Sequence, residues 1–346
     1  MAHSVRAAIA EGTYRVGEYL PGVRQLAQTY GVAPETARKA MKLLAREHCL
    51  SVHERHGFRV TGLANDPATA APIAFVRFDA GDEDITAGTY GRILAALQAA
   101  AGARSWSVIG MSLSGKTDQQ IRELLRATRL AGVILDSIDA RFVALVREMG
   151  YPAVLADAWY PDCALDAVVQ DSFGGGLQAA EHLCARGHKR IGWLGPLVDT
   201  NESLERWGGV MAGLRRRGLT VAPEFVVNSV EPGAGPALRR MLSRKRRPTG
   251  LVALWPPESH QAVRGAVEAG LAPGRDLEIV GWCIEESYGP FAAEFGGGAA
   301  PAAVTWSIRE LAGRALAQLA ERRSSPDAPP VRVVVPTRLR LPEGTG

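Results

Sequence analysis

The sequence has few cysteines, no long apolar run and no metal-binding motif, and each shortage excludes a class of protein. Its four cysteines lie far apart and form no C-x-x-C pair, which argues against a disulfide framework and against a zinc knuckle. No apolar run approaches about 18 residues, so we expect no membrane span. With 47% hydrophobic and 22% charged residues, the chain has the composition of a folded globular protein. We expect neither a metal nor a cofactor.

The first residues of the chain indicate where the protein acts, and its length indicates how many domains it has. The first residues, MAHSVRAAIAEG, lack a basic segment followed by an apolar stretch, so we expect the protein to act in the cytoplasm. At 346 residues the chain exceeds the size at which one core usually stops growing. We therefore expect at least two folded units.

The basic residues are concentrated near the N-terminus. Residues 1–62 contain nine Lys or Arg against five Glu, a net charge of +4, whereas the remaining 31 basic and 31 acidic residues cancel. Four of the seven histidines also fall in this segment. A local basic excess on a small unit suggests a polyanion partner.

Residues 63–72 (LANDPATAAP) are small, polar and rich in proline, which predicts a linker. Beyond it, short apolar runs such as IAFVRF, AGVILDS, RIGWLG, GLVALW and LEIVGW alternate with helical patterns of about 10 to 15 residues. This alternation is typical of βαβ units around parallel sheets, in two halves of similar size. In such a fold we expect a ligand at the carboxyl ends of the strands, in the crevice between the halves.

Three helical patterns precede the linker, at residues 5–10, 23–30 and 34–48. The last two are joined by a short turn with Gly31, and the third carries Thr36, Arg38 and Lys39 near its start. A helix, a tight turn and a second helix with basic residues form the arrangement that places a recognition helix in the major groove.

A hairpin is predicted after the third helix. The apolar runs at residues 50–52 and 58–60 flank the turn 53–57, which contains Arg55, His56 and Gly57. The pattern indicates a wing beside the helix-turn-helix.

Nearly all of residues 1–62 resembles the GntR family of winged-helix regulators. The matching residues are Ile9, Gly12, Leu20, Pro21, Arg24, Leu26, Ala27, Gly31, Val32, Thr36, Arg38, Leu43, Leu44, Glu47, Leu50, Gly57 and Val60. The resemblance implies that Arg24 and Arg38 contact phosphates or base edges and that Gly57 lets the wing approach the minor groove. Where the family usually carries Ser-Arg, this chain has Ala33 and Pro34, followed by Glu35. We therefore expect an atypical operator preference.

Residues 73–346 resemble the effector domain of the LacI/GalR regulators, which is similar in fold to periplasmic sugar-binding proteins. The motifs are VVQDSFGGGLQAAEHLCARGHKRIGWLGP, SLERWGGVMAGL, PTGLVALW and LEIVGW. The resemblance implies that the guanidinium of Arg206 donates bidentate hydrogen bonds to ligand hydroxyls and that Asp157 is a second polar contact to the ligand. Two family contacts are replaced, one by Trp255 and Pro256 and the other by Cys283.

The candidate pocket is therefore richer in tryptophan than in hydrogen-bonding groups. Flat indole faces favour a less hydroxylated ligand, an aromatic one, or a sugar held mainly by stacking, although each tryptophan could instead belong to the core or to a subunit interface. The predicted effector-binding residues are Phe78, Tyr90, Asp157, Trp159, Arg206, Trp255, Trp282 and Cys283.

The predicted fold is α/β: a small winged helix-turn-helix domain followed by two doubly wound parallel-sheet subdomains like those of periplasmic binding proteins. We expect the DNA-binding domain over residues 1–62, the linker over 63–72 and a ligand-binding and dimerisation domain over 73–346. The two expected subdomains are 73–165 with 289–320, and 166–288 with 321–346.

The predicted function is a ligand-responsive transcriptional regulator, of a carbohydrate or related catabolic operon, that binds double-stranded operator DNA as a homodimer. The predicted DNA-binding residues are Arg24, Pro34, Glu35, Thr36, Arg38, Lys39, Arg55, His56 and Gly57. One alternative is an exported solute-binding protein, although such a protein would not need a basic N-terminal domain. The other is a DNA-binding dimer whose sensor domain has lost its small-molecule ligand. We expect no enzyme, because Asp157 and Arg206 are nearly the only convergent polar groups.

Overall fold

The structure is a computed structural model that contains one small N-terminal unit and two lobes, each lobe built on a six-stranded sheet. It describes residues 1–10, 12–15, 17–46, 50–53, 57–60, 71–77, 88–104, 106–136, 139–160, 162–197, 200–295 and 300–342. Within these ranges no helix is long and apolar enough to cross a membrane.

The N-terminal unit contains three helices and a hairpin, as predicted. Its elements are α1 (Ala2–Ala10), α2 (Val23–Thr29), α3 (Pro34–Arg46), β1 (Leu50–His53) and β2 (Gly57–Val60). Helix α1 begins three residues earlier than predicted, and the hairpin pairs β1 with β2 in antiparallel register, with Leu50 opposite Val60. The predicted linker 63–72 lies largely outside the described residues.

Helix α3 follows from the spacing of its apolar residues. Proline fits the first helical position, and Ala37, Ala40, Met41 and Leu44 recur at helical spacing and are all buried. Ala40, Met41 and Leu44 pack on residues of α1, α2 and the hairpin to form one small core. The opposite face of α3 is therefore polar and open to solvent.

The first lobe is a parallel sheet with helices on both sides. Its elements are β3 (Ile73–Arg77), α4 (Gly88–Gly102), β4 (Val108–Ser112), α5 (Asp118–Thr128), β5 (Gly132–Asp136), α6 (Ala140–Glu148), β6 (Ala153–Ala156), β7 (Asp166–Gln170), α12 (Ile308–Ser324) and β13 (Arg332–Val335). The strand order is β13-β7-β6-β5-β3-β4, and every neighbouring pair is parallel. Burial on both faces explains why the central strands β3, β5, β6 and β7 are largely continuous apolar runs, whereas the edge strands β4 and β13 are partly exposed.

The second lobe repeats this plan. Its elements are α7 (Ser172–Ala185), β8 (Ile191–Leu194), α8 (Asn201–Arg215), β9 (Val226–Val227), α9 (Ala234–Leu242), β10 (Gly250–Ala253), α10 (Pro256–Glu268), β11 (Glu278–Ile284), α11 (Tyr288–Ala293), β12 (Ala302–Trp306) and β14 (Thr337–Arg340). The strand order is β14-β12-β11-β10-β8-β9, with only β14 antiparallel to its neighbour. The predicted α/β fold class is confirmed.

The predicted division into subdomains is wrong in part. The chain passes between the lobes at Asp171, Ser307 and Pro336, not near residues 165, 288 and 320. Strands β7 and β13 therefore belong to the first sheet, and β12 with α11 belongs to the second lobe. The reason is physical: a fully buried parallel strand has the same apolar composition in either sheet, so its sequence does not indicate which sheet it joins.

A buried ion pair fixes the last return of the chain to the first lobe. The carboxylate of Asp166 is fully buried and accepts hydrogen bonds from Nε and Nη2 of Arg322, from Nε2 of Gln318 and from the backbone N–H of Val331. Because every lone pair is satisfied, the cost of burying this charge is offset. The contact places β13 beside β7.

Glycines let α7 and α8 pack with their backbones in contact. A Cβ on Gly209 would clash with the carbonyl oxygen of Phe173, and one on Gly176 would clash with that of Arg206. In contrast, a Cβ on Gly208 would meet only ring carbons of Phe173, at 3.7 Å. The close approach sets the position of Arg206 at the cleft.

We expect Gly209→Ala to lower the free energy of unfolding by about 1–3 kcal/mol, because the methyl group overpacks a contact made by backbone atoms. The matched change Gly208→Ala, one residue earlier on α8, should be neutral or stabilising by up to about 1 kcal/mol through helix propensity. Urea unfolding followed by far-ultraviolet circular dichroism measures both. Equal midpoints for the two variants would contradict the packing account.

Candidate functional site

A cavity of about 900 Å³ lies between the two lobes, at the carboxyl ends of the strands. The first lobe contributes the start of α4, the end of β5, the residues after β6 and the end of β7, and the second lobe contributes α8, α10, β11 and α11. This is the position that the sequence predicts for a ligand, and the volume suits a small molecule.

The floor of the cavity is a set of hydrogen bonds centred on the buried side chain of Gln170, which we call the Gln170 junction. The Oε1 atom of Gln170 accepts from Nη2 of Arg206 at 3.0 Å and from Nε1 of Trp282 at 2.7 Å. Its Nε2 atom donates to Oδ1 of Asp157 at 2.9 Å. Because Gln170 and Asp157 belong to the first lobe and the other two to the second, the junction joins the lobes.

Arg206 is the most buried charged group at the cavity, with 2% of its surface exposed. Its Nη1 atom donates to the carbonyl oxygen of Leu254 at 2.8 Å, and its guanidinium carbon lies 4.0 Å from the centroid of the Trp282 ring. Burial lowers the pKa of Arg206 to about 10, although the negative charges of Asp157 and Glu202 oppose that shift. The side chain therefore stays positively charged at neutral pH.

Two carboxylates next to Arg206 are harder to ionise than usual. Burial raises the pKa of Asp157 to about 6, against the hydrogen bond from Gln170 and the positive charge of Arg206. Burial also raises the pKa of Glu202 to about 7, and the charge of Asp157 adds to the shift. Asp157 has a left-handed backbone with φ of 58°, a conformation uncommon outside glycine. Such strain is typical of a functional position.

Aromatic rings and one thiol form much of the remaining wall. The aromatic lining residues are Tyr90, Trp255, Trp282, Phe291 and Trp306. Cys283 also lines the cavity, and burial raises the pKa of its thiol to about 12. The thiol is therefore protonated at physiological pH and a poor nucleophile.

The structure brings six of the eight predicted effector-binding residues to this cavity. They are Tyr90, Asp157, Arg206, Trp255, Trp282 and Cys283. Phe78 lies outside the described residues. Trp159 does not line the cavity, contrary to the prediction: the guanidinium of Arg332 lies 3.9 Å from its ring centroid, and Asn201 donates to its carbonyl oxygen. Its ring therefore packs within the first lobe, against β13, and its carbonyl oxygen makes the contact with α8 of the second lobe.

Sequence reasoning missed Gln170 and Glu202. Gln170 is the last residue of β7, so the rule that ligands bind at carboxyl strand ends points to it. Glu202 lies in the first turn of α8, where an acidic residue is ordinarily explained by the helix dipole. The only feature of the sequence that indicates a position of Glu202 at the cavity is that it precedes Arg206 by about one helical turn.

The predicted DNA-binding residues that can be located are exposed on one unit. Arg24 lies on α2, and Pro34, Glu35, Thr36, Arg38 and Lys39 lie on the solvent face of α3. Gly57 begins β2 with φ of 83°, a conformation that favours glycine. Arg55 and His56 lie outside the described residues.

Over the part of the chain that the structure describes, no group of three His, Cys, Asp or Glu side chains could hold a metal ion. His182 and His188 instead share one carboxylate: their Nε2 atoms lie 2.8 and 3.0 Å from the two oxygens of Glu278. These contacts, with Arg186, lower the pKa of Glu278 to about 2, against the effect of burial. The cluster connects α7 to β11 away from the cavity.

Comparison with curated proteins finds similarity to a repressor over part of the chain. The "HTH-type transcriptional repressor PurR" of Pectobacterium carotovorum subsp. carotovorum is 30% identical over 119 residues, which is 34% of this chain. The chain spans about a third (35%) of the length of that relative.

Solved structures match over more of the chain. The "transcriptional regulator CelR-cellobiose complex" is 20% identical with a TM-score of 0.66, covering 93% of this chain and 99% of that one. The lac repressor dimer bound to operator and the anti-inducer ONPF is 19% identical with a TM-score of 0.64, covering 78% and 92%. At these identities the matches establish the fold alone.

Family comparison divides the chain at the linker. Residues 1–60 match "Bacterial regulatory proteins, gntR family", and residues 83–320 match "Periplasmic binding proteins and sugar binding domain of LacI family". The second match covers more than half of the chain. The chain therefore belongs to the family of periplasmic binding proteins and LacI-type sugar-binding domains, and a GntR-type segment precedes that domain.

Proposed function

We propose that this protein is a ligand-responsive transcriptional regulator that binds operator DNA as a homodimer. The observation that carries the proposal is the combination, in one chain, of a basic winged helix-turn-helix unit and a two-lobed sensor with a cavity of about 900 Å³. In this proposal residues 1–62 bind DNA, 63–72 are the linker and 73–346 bind the ligand and dimerise.

The exposed face of α3 supports the DNA-binding role. Arg38 and Lys39 lie on its outer surface near its start, and Arg24 is exposed on the preceding helix. The start of a recognition helix is the part that contacts base edges in the major groove, while neighbouring basic groups contact phosphates. In a two-fold dimer two such helices read half-sites about one helical turn apart. One structural neighbour of this chain, the lac repressor, is a dimer bound to operator.

The three passages between the lobes support a hinge, and the cavity supports a small-molecule effector, a sugar or another metabolite. A ligand that touches both lobes favours one lobe orientation over another. A coupling free energy of about 1–3 kcal/mol between ligand binding in the cavity and DNA binding by the N-terminal units would change operator affinity roughly 5- to 150-fold.

The proposed role is binding without chemical conversion of the ligand. Arg206 and Gln170 are committed to hydrogen bonds with each other and with their neighbours, which suits recognition. The Cys283 thiol, protonated because of its burial, is unsuited to nucleophilic attack. Because operator DNA is the proposed partner, we place the site of action in the cytoplasm.

We expect Arg38→Ala to weaken operator binding by about 1–3 kcal/mol and to reduce the slope of log affinity against log salt concentration by about 1, because one guanidinium contact is lost. Fluorescence anisotropy with an operator fragment, selected from genomic DNA and titrated at several salt concentrations, measures both. Arg246→Ala, an exposed arginine of the second lobe, is the control and should change neither. An unchanged affinity and slope for Arg38→Ala would contradict the placement of the recognition helix.

We expect Arg206→Ala to abolish the effect of the effector on operator affinity while DNA binding persists, because Arg206 lies at the floor of the cavity. The effector is first identified by a thermal-shift screen of sugars, polyols and aromatic metabolites. Since Arg206 also holds the Gln170 junction, Trp255→Ala is a second test, with Trp106→Ala, outside the cavity, as its control. Unaltered calorimetric affinity of both cavity variants for the effector would place the binding site elsewhere.

A further inference from the structure

The cavity carries more negative than positive charge. The carboxylates that line it belong to Asp136, Asp139, Asp157, Glu202 and Glu294, and the guanidinium groups belong to Arg92 and Arg206. An excess of carboxylates around a partly enclosed space concentrates negative potential there. What matters for a ligand is which of these charges have partners within the protein.

Several of the charges are already engaged. His260 bonds Glu294 through Nε2 at 2.6 Å, Asp139 accepts from the backbone N–H of Phe142, and Arg92 donates to the hydroxyl of Ser287. Arg206 uses both terminal nitrogens on neutral oxygens, those of Leu254 and Gln170. Neither guanidinium therefore donates a hydrogen bond to a carboxylate of the cavity among the described residues.

Asp157 and Glu202 are left without a cationic hydrogen-bond partner. Among the hydrogen bonds of the described residues, the carboxylate of Asp157 accepts from the neutral amide of Gln170, and that of Glu202 accepts from its own backbone N–H. Burying a carboxylate without such a partner is costly, and the raised pKa values of both groups express that cost. A neutral ligand would remove more water from both groups and leave the charge uncompensated, whereas a cationic ligand would offset it.

A second, independent feature calls for a polar atom on the ligand. The Nε atom of Arg206 is buried and has no hydrogen-bond partner among the described residues, although the side chain lines the cavity. A buried N–H without a partner costs about 1–3 kcal/mol, so an acceptor oxygen on the ligand would be stabilising here. The aromatic walls add flat faces, which attract both rings and cations.

We infer that the cavity binds an organic cation: a protonated amine carried on a ring scaffold, with an oxygen acceptor for Arg206. The amine lies against Asp157 and Glu202, and the ring lies against Trp255. This inference rests on the proposed function, in which the cavity is the effector site, and it specifies the charge of the effector.

The test compares amines with neutral partners of similar shape on the full-length protein. The probes are D-glucosamine against D-glucose and N-acetyl-D-glucosamine, and tyramine against 4-(2-hydroxyethyl)phenol. Thermal shift ranks the probes, and isothermal calorimetry at pH 7.5 gives affinities for those that bind. We expect at least one amine to bind at least tenfold more tightly than its neutral partner.

Two matched variants locate the charge that is responsible. Glu202→Gln should weaken amine binding at least tenfold, whereas Glu294→Gln, which alters a carboxylate of the same cavity already bonded to His260, should change it less than threefold. Because Glu202→Gln removes a partly buried charge, the melting temperature of the variant without ligand should equal or exceed that of the unmodified protein. A folded variant with lost amine binding therefore cannot be explained by unfolding.

Proton release gives a readout that a neutral ligand would not produce. Glu202 faces Asp157, Arg206 and the neighbouring Glu205, and an approaching ammonium favours its ionised form. Calorimetry at pH 6.5 in phosphate and in cacodylate buffer, neither of which contains an amine, should show release of up to about one proton per chain on amine binding. Amine affinity should accordingly fall as the pH decreases from 8 to 5.

The outcomes separate this inference from the proposed function. If no amine binds more tightly than its neutral partner, or if Glu202→Gln and Glu294→Gln behave alike, the inference is wrong. In that case operator binding that responds to a neutral ligand still supports the regulator. If amines bind as expected but no genomic fragment is preferred over random competitor DNA, the inference stands and the proposed function fails.

Discussion

The hydrogen bonds of Gln170 hold together the parts of the sensor that a ligand would touch. A single amide from the first lobe accepts from Arg206 and Trp282 of the second lobe and donates to Asp157 of its own. Because all of these groups are buried or partly buried, losing one leaves the others unsatisfied, which costs more than the bond itself contributes. The position of the guanidinium, the indole and the carboxylate at the cavity therefore depends on one side chain. Any motion of the lobes must either keep this junction as a pivot or exchange its bonds for others.

The electrostatics of the cavity follow from that arrangement. Arg206 compensates its carboxylate neighbours only through space, because its terminal nitrogens are directed to neutral oxygens. The tryptophans beside it exclude water without supplying counter-charge. The resemblance to the LacI/GalR regulators implies hydrogen-bonding groups at the positions of Trp255 and Cys283, so we expect weaker recognition of ligand hydroxyls in a cleft that is still lined by carboxylates.

The sequence predicts much of this structure, and its failures have identifiable causes. Helix α3 could be predicted because its buried residues Ala37, Met41 and Leu44 recur in the sequence at helical spacing. The hairpin could be predicted because Gly57 marks a turn. Arg206 and Asp157 were recognisable only through family resemblance. The lobe boundaries were not predictable, since β7 and β12 are equally apolar and their partners are set by long-range pairing. The role of Gln170 was not predicted, because the sequence does not distinguish a polar residue at a strand end that is hydrated from one that bonds to a second lobe.

The path of the last strands affects how the chain folds during synthesis. Residues 332–335 complete the first sheet and residues 337–340 complete the second, so neither lobe has its full set of strands until these residues have left the ribosome. The N-terminal unit has its own small core and no such dependence. Within one nascent molecule the N-terminal unit, which we propose binds DNA, can therefore become ordered well before the two lobes. The buried contact between Asp166 and Arg322 is among the last to form.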